Sequence, residues 1–533
     1  MAEKPYDLAI VGAGQAGCAL AGKIAERGVN PANGEPLKIA LLDRGPYIKG
    51  KPNPGYGSPL RRQMFTNVSL DFVGRYRHRF TLPPGETRRR PLSDGERAFT
   101  QGTPNIFGGG TLHYTARTHA PYPEDYEVWV NETGADWSYQ NLKPFGEMIH
   151  RDFNIHARPK EMWVRMDYML QDAARAIGYE PHDATLAKRN CLFTGYCDGT
   201  NMCKYDARQG SFIAYLPIAE ERGLDSYPDS QVERILLEKQ AGQVRVKGIE
   251  YIQNGVRQTL EVPRVIVSAG NYGNPPLLYR SGYGPRDLVK DLVVENPNVG
   301  AHTDNRPQLR GPTAVFDEPL SDAAYRHNPA QYVYHDIHGD PHYERLELSI
   351  SANQLAAPDR MALESGAPGF GREHKEYMRS LYDESKMTPA RRKAACIARS
   401  SMHLVRPRNI RGYINEWGEQ IYRGDDPSIV KGLQEGRELV YELFKEMGAR
   451  EISGMDAPIR VRVLSSFVSS CIVGADPKTS VVNPYFESHD IDGLFICDAS
   501  VVPRAATQGY AGTVATVAIF GASRIIDRHF KRG

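Results

Sequence analysis

No run of eighteen apolar residues occurs in this 533-residue chain, so the sequence offers no membrane-spanning helix. Neither sign of charge prevails. Sixty-six Lys and Arg stand against 64 Asp and Glu, a formal net charge of +2, and such a balance carries no nucleic-acid footprint. The basic run Arg88, Arg89, Arg90 reads as a solvated loop rather than a polyanion site. Cysteine is scarce and odd in number, at seven, and only Cys191, Cys197 and Cys203 cluster, which excludes a disulfide scaffold. The opening MAEKPYDLAIVGAG lacks the basic and apolar regions of a secretory leader. Internal repeats and low-complexity segments are missing too. The expectation is a soluble cytoplasmic protein, too long for one ordinary core and so built of two domains or more.

What is present begins at YDLAIVGAGQAGCALAGKIAERG. The apolar DLAIV suits a buried parallel strand. Gly12, Gly14 and Gly17 follow as G-x-G-x-x-G: a tight turn, a close backbone approach to a pyrophosphate, and a helix packed on a strand. The next helix points its positive N-terminus at the phosphates. A second strand, KIALLDRG, ends in Asp43, a carboxylate suited to ribose hydroxyls without a 2′-phosphate. The long gap between Gly17 and Asp43 is taken up by a loop, VNPANGEP. The motif alone does not choose between FAD and NAD.

Three further stretches resemble the glucose–methanol–choline (GMC) oxidoreductases, nearest the gluconate/fructose/glucose dehydrogenase and pyranose oxidase-like branch. NIFGGGTLHYTARTHAPYPEDYEVW with DWSYQNLKPF resembles the flavin-attachment segment, and RVIVSAGNYGNPPLLYRSGYGP the second signature. The third is the closing segment, DPKTSVVNPYFESHDIDGLFICDASVVPRAATQGYAGTVATVAIFGASRII. The resemblance runs from residue 7 to about 527 and is weak between about 305 and 450. It implies FAD bound by a doubly wound (Rossmann-like) α/β domain, with an α+β substrate domain whose antiparallel sheet covers the isoalloxazine. The corresponding division is residues 1–130 and 226–308 for FAD, 131–225 for a helical and cysteine segment partly in the substrate domain, 309–465 for substrate, and 466–533 for the catalytic segment and closing strand and helix.

Carried residue by residue, the resemblance gives Gly12, Gly14, Gly17 and Asp43 to the ADP moiety. Gly108, Gly109 and Gly110 go to the flavin loop, Asp498 to the ribityl–pyrophosphate region, and Thr513 to the last helix, whose N-terminus stabilises negative charge on a reduced flavin. His113 matches a histidine that pyranose oxidases bond covalently to flavin; its other reading is a histidine packed beside the ring. Cys191, Cys197 and Cys203 resemble a segment that holds a [3Fe–4S] cluster in some glucose dehydrogenases, but their spacing departs from that pattern, and buried thiols or a disulfide are the other readings. Cys18, Cys396, Cys471 and Cys497 read as core thiols.

The departures lie at the catalytic positions. Where the family keeps a histidine before its G-T-x-x-M-G-x-D-P segment, this chain has Ser466, and where it keeps His or Asn in the last helix, Ala511 stands beside Tyr510. Serine cannot act alone as a base near neutrality. The substitutes are Tyr510, whose phenol needs a positive neighbour to lower its pKa, and the histidines His113 and His403. Gln508 can only orient substrate, and Arg504 either binds an anionic substrate, steadies flavin charge or is a surface arginine. Three functions follow: an FAD-dependent oxidoreductase of a CH–OH group in a sugar-, polyol- or glycoside-like small molecule with a rearranged site; a flavin-dependent isomerase, lyase or photochemical enzyme; and a non-catalytic flavoprotein. Nucleic acid is excluded as a partner, while the electron acceptor and the oligomeric state, homo-oligomer included, stay open.

Overall fold

The apolar runs Leu8–Val11, Ile39–Leu42 and Val265–Val267 are strands with both faces buried, as their unbroken hydrophobicity requires of a sheet covered on two sides. With Leu494–Ile496 and Asp225–Tyr227 they form a five-stranded parallel sheet. In space the order is Leu494–Ile496, Val265–Val267, Leu8–Val11, Ile39–Leu42, Asp225–Tyr227, so three distant stretches of chain build one sheet. The helices Gln15–Arg27 and Tyr510–His529 pack on each other and on this sheet. The computed structural model describes residues 5–47, 77–99, 101–112, 114–191, 207–321, 330–352, 371–382, 388–408, 410–462 and 467–531. His113, Cys197, Cys203 and Ser466 fall outside these residues.

The second layer is a six-stranded sheet, antiparallel at each pairing, in the order Glu451–Ser453, Gln308–Val315, Ile397–Val405, Arg345–Ala352, Gln331–Asp336, His182–Asp183. Its strands obey the two-residue period of the pleat. Leu346, Leu348, Ile350, Ala398, Met402 and Leu404 form a core with Ile429, Leu433, Val440 and Phe444 of the helix Pro427–Glu446. The alternate positions Glu347, Ser349, Ser401 and His403 therefore share the opposite face.

Buried ion pairs tie the two layers together. Arg406, just past the strand Ile397–Val405, pairs with Asp125 in the first turn of the helix Pro123–Thr133, and neither side chain is exposed. Asp125 also accepts from Thr507 N (3.0 Å) and Thr507 Oγ1 (2.8 Å), which holds the chain entering the last helix. Arg504 pairs with Glu132 at 2.8 Å and Asp304 at 3.1 Å. It is buried between two carboxylates, not the surface arginine that was one expectation from sequence.

Breaking such a pair leaves a buried charge without its partner. Asp125→Ala should therefore cost about 3–5 kcal/mol in urea unfolding, whereas Glu295→Ala, which removes the exposed partner of Arg286, should leave the midpoint unchanged.

Candidate active site

The turn after Leu8–Val11 is built for close approach. Gly12 has φ +103°, and a Cβ there would sit 2.4 Å from the Ser268 carbonyl oxygen. A Cβ on Gly17 would sit 1.8 Å from the Gly12 carbonyl oxygen, so helix and turn touch through bare backbone. At Gly14, the N-cap of the helix Gln15–Arg27, a Cβ would meet nothing within 4 Å. That open space belongs to a cavity of about 1220 Å³. Asp43 lines the same cavity, accepting from Ala13 N and Gly45 N, each at 2.8 Å, while burial raises its pKa. Asp498 lines it too, at the carboxyl end of the strand Leu494–Ile496, and ties the neighbouring strand ends together: it accepts from Gly270 N at 2.7 Å, Asn274 Nδ2 at 2.9 Å and Ser500 N at 2.8 Å.

The glycine loop closes on this turn. Gly108 N donates to the Ala13 carbonyl at 2.8 Å, and a Cβ on Gly109 would lie 2.9 Å from Gly14 Cα. Gly109 and Gly110 line the cavity, whereas Gly108 stands behind them against Leu112 and Phe212. The last helix opens at the cavity with Tyr510 and Ala511 on its wall. Thr513 is buried one turn further on, its Oγ1 without a hydrogen bond, and does not line the cavity.

The far wall is the polar face of the six-stranded sheet. Glu347 and His403 stand opposite each other across two antiparallel strands, and both line the cavity with Arg306 and Arg117. Glu347 Oε2 is 2.8 Å from Arg306 Nη2, and Oε1 is 3.2 Å from both Arg117 Nη2 and His403 Nδ1. Burial works to raise the Glu347 pKa, but Arg306, Arg117 and His403 outweigh it and hold the carboxyl well below the usual range. Burial pulls the His403 imidazole below its ordinary value, with Glu347 opposing and the two arginines assisting. His403 is thus neutral at pH 7. Phe80, Tyr272 and Phe467 add an aromatic side to the cavity: Phe80 stacks on Tyr272 at 5.7 Å, and Tyr272 meets Phe467 edge-on at 4.2 Å.

Tyr510 lies in this region with its hydroxyl buried and unbonded. Burial pushes its pKa far above the ordinary phenol value despite Arg306 nearby, so it is present as a neutral hydroxyl. Gln508 donates to Tyr122 Oη at 2.9 Å and does not reach the cavity. Phe467, the neighbour of Ser466, lines the cavity. Cys191 is partly buried, and Cys18, Cys396, Cys471 and Cys497 are buried. No group of three His, Cys, Asp or Glu among the described residues could hold a metal, and no helix among them is long and apolar enough to cross a membrane. Glu347 escaped the sequence reading. Its signal was a lone acid alternating with Leu346 and Leu348 on a strand, which is visible only once that strand is recognised.

The GMC oxidoreductase profile matches residues 6–308 in its N-terminal part and 425–518 in its C-terminal part. The chain belongs to the GMC oxidoreductase family. This enzyme is 22% identical to the gluconate 2-dehydrogenase flavoprotein of Pantoea cypripedii, covering 99% of this chain and 94% of that one. It is 24% identical to the oxygen-dependent choline dehydrogenase of Xanthomonas axonopodis pv. citri, over 99% and 96%. Among solved structures, pyridoxine 4-oxidase from Mesorbium loti superposes with a TM-score of 0.70 at 17% identity, over 98% of this chain and 100% of that one. A formate oxidase of Aspergillus oryzae RIB40 gives 0.69 at 17%, over 99% of each. At that identity the two structures establish the fold. The relatives are dehydrogenases and oxidases by name, so the enzyme is an oxidoreductase rather than a non-catalytic flavoprotein. Its cofactor is FAD.

The residues present fit that cofactor. The cradle at Gly14 is open where a side chain would fill it, backbone N–H groups face it from the start of the helix Gln15–Arg27, and Asp43 stands at the adjoining strand end. Two glycine variants separate cofactor contact from fold. Gly14→Val should keep the far-ultraviolet circular dichroism of the parent while losing most bound FAD, read as the 450 to 280 nm absorbance ratio. Gly17→Val should lose the fold itself, because its Cβ meets the Gly12 carbonyl.

Proposed function

We propose that the enzyme oxidises a CH–OH group of a sugar-, polyol- or glycoside-like molecule at a site without the family's usual His and Asn pair. The observation that carries this is the continuity of one cavity, from the dinucleotide cradle at Gly14 and Asp43 to the polar sheet face at Arg306, Glu347 and His403. Its volume exceeds the roughly 300–1,000 Å³ of ordinary small-molecule pockets, which leaves room for a substrate beside a dinucleotide. Bound FAD supplies a hydride acceptor. The chain's own groups do the rest. Phe80, Tyr272 and Phe467 offer rings to the C–H face of a sugar, and Arg306, Tyr510 and the sheet face offer polar partners to hydroxyls. A relative named for gluconate supports a polyhydroxylated substrate.

A second reading, an isomerase, lyase or photochemical reaction without net oxidation, draws on Ala511, which lines the cavity and which the family resemblance aligns with a catalytic side chain. Anaerobic mixing with a panel of sugars, polyols, glycosides and simple alcohols separates the two. Oxidation predicts that at least one polyhydroxylated compound bleaches the flavin at 450 nm and is recovered as a carbonyl. Conversion of substrate to a redox-neutral product without bleaching favours the second reading. Tyr272→Ala should weaken binding of the bleaching substrate by about tenfold, the equivalent of one aromatic contact.

A further inference from the structure

We infer that the proton acceptor of this enzyme is His403, on the strand Ile397–Val405 of the six-stranded sheet, with Glu347 on the neighbouring strand as its positioning residue. The inference rests on the alcohol-oxidation reading above and assigns the base that this reading leaves open. Four observations converge on it.

The first is location. His403 is the only histidine among the described residues that line the cavity, and the same wall carries Tyr510 and Ala511 of the last helix. The second is orientation. The pleat sends Met402 and Leu404 into the core behind the sheet and leaves His403 on the cavity face opposite Glu347. The contact from Nδ1 to Glu347 Oε1, at 3.2 Å, is electrostatic with imperfect hydrogen-bond alignment, as is common before substrate binds. It favours the tautomer with hydrogen on Nδ1 and leaves Nε2 to accept a proton.

The third is charge. The groups packed around the ring are Glu347 on the adjacent strand, Arg306 ahead of the strand Gln308–Val315, and Arg117 from the loop after the glycine segment. Tyr334, from the strand Gln331–Asp336, and Tyr510 are coupled to the same charges. Glu347 stays ionised among these arginines, so it can stabilise an imidazolium when one forms. The fourth is spare capacity. Arg306 Nε is buried and makes no hydrogen bond, a donor available to an oxygen that gains negative charge as its proton leaves. A histidine kept only for packing needs neither the ionised partner nor the open cavity.

The step balances. The substrate O–H proton passes to His403 Nε2 and the oxygen electron pair becomes the second bond of C=O, while bound FAD would supply the acceptor for the C–H hydrogen and its electron pair. The proton on His403 then goes to water, and the two electrons leave to an acceptor of the dioxygen or quinone class.

The test is a single anaerobic turnover with a compound that bleaches the wild-type flavin. For His403→Gln, the flavin reduction rate should fall about 10²–10⁴-fold, with FAD content held within a factor of about two. The acid-side limb of the rate against pH, set by His403 below its ordinary value of about 6.5, should vanish. Imidazole should restore part of the rate to His403→Gly. Glu347→Gln should move the limb to lower pH, because the carboxylate supports the imidazolium. Independently of turnover, the ring nitrogen signals of His403 in the FAD-loaded protein should titrate below 6.5, and lower still in Glu347→Gln. A rate for His403→Gln within tenfold of wild type, or an acid limb that stays in place, overturns the assignment. Wild-type flavin that no alcohol or sugar bleaches overturns instead the oxidation on which it rests.

Discussion

A carboxylate buried on a sheet must be neutralised where it stands, and Glu347 sets that condition for the whole site. Two arginines meet it, with a neutral imidazole beside them. Arg306 arrives from the end of the cofactor-side segment, Arg117 from the loop that follows the flavin glycines, and His403 from the next strand. None is near Glu347 in sequence. The charge demand of one side chain thus pins the six-stranded sheet to the loop that follows Gly108, Gly109 and Gly110. Without its arginines the acid would take up a proton, as buried carboxyls do. With them it remains an anion beside a neutral imidazole, and that difference in charge state gives the site its polarity.

The same economy appears around the last helix. Asp125, Arg406 and Thr507 form one buried cluster, and the buried Arg504 and Asp304, with a more exposed Glu132, form another group on either side of the chain that leads into Tyr510. Buried ion pairs add little net stability over well-packed apolar groups, but they are costly to break singly. Their effect here is register. They fix where the helix begins and hence where Tyr510 and Ala511 face the cavity.

Much of the cofactor side was legible before any coordinates. Gly12, Gly14 and Gly17 each do a different job, and each job is local: a positive φ, an open cradle, a bare contact between helix and turn. Asp43 and Asp498 follow apolar strands at their carboxyl ends, where an open α/β sheet binds its ligands. The substrate side was far less legible. Arg504 had a surface arginine among its readings and is buried between two carboxylates, and Tyr510 resembled a base and is a phenol kept neutral by burial. His403 was named among several histidines without a reason to prefer it, and Glu347 was not singled out at all.

The sequence by itself determined the family and the glycine turn of the dinucleotide cradle, because these are written in short contiguous stretches whose geometry is set by neighbouring residues. Only the tertiary structure decided which polar side chains share the cavity with Tyr510 and Ala511. Glu347 and His403 meet through strand register, and a slip of one residue would turn one of them toward the helix Pro427–Glu446 and away from its partner. That register is held by Leu346, Leu348, Met402 and Leu404, which do not line the cavity. The apolar half of the alternation places the polar half.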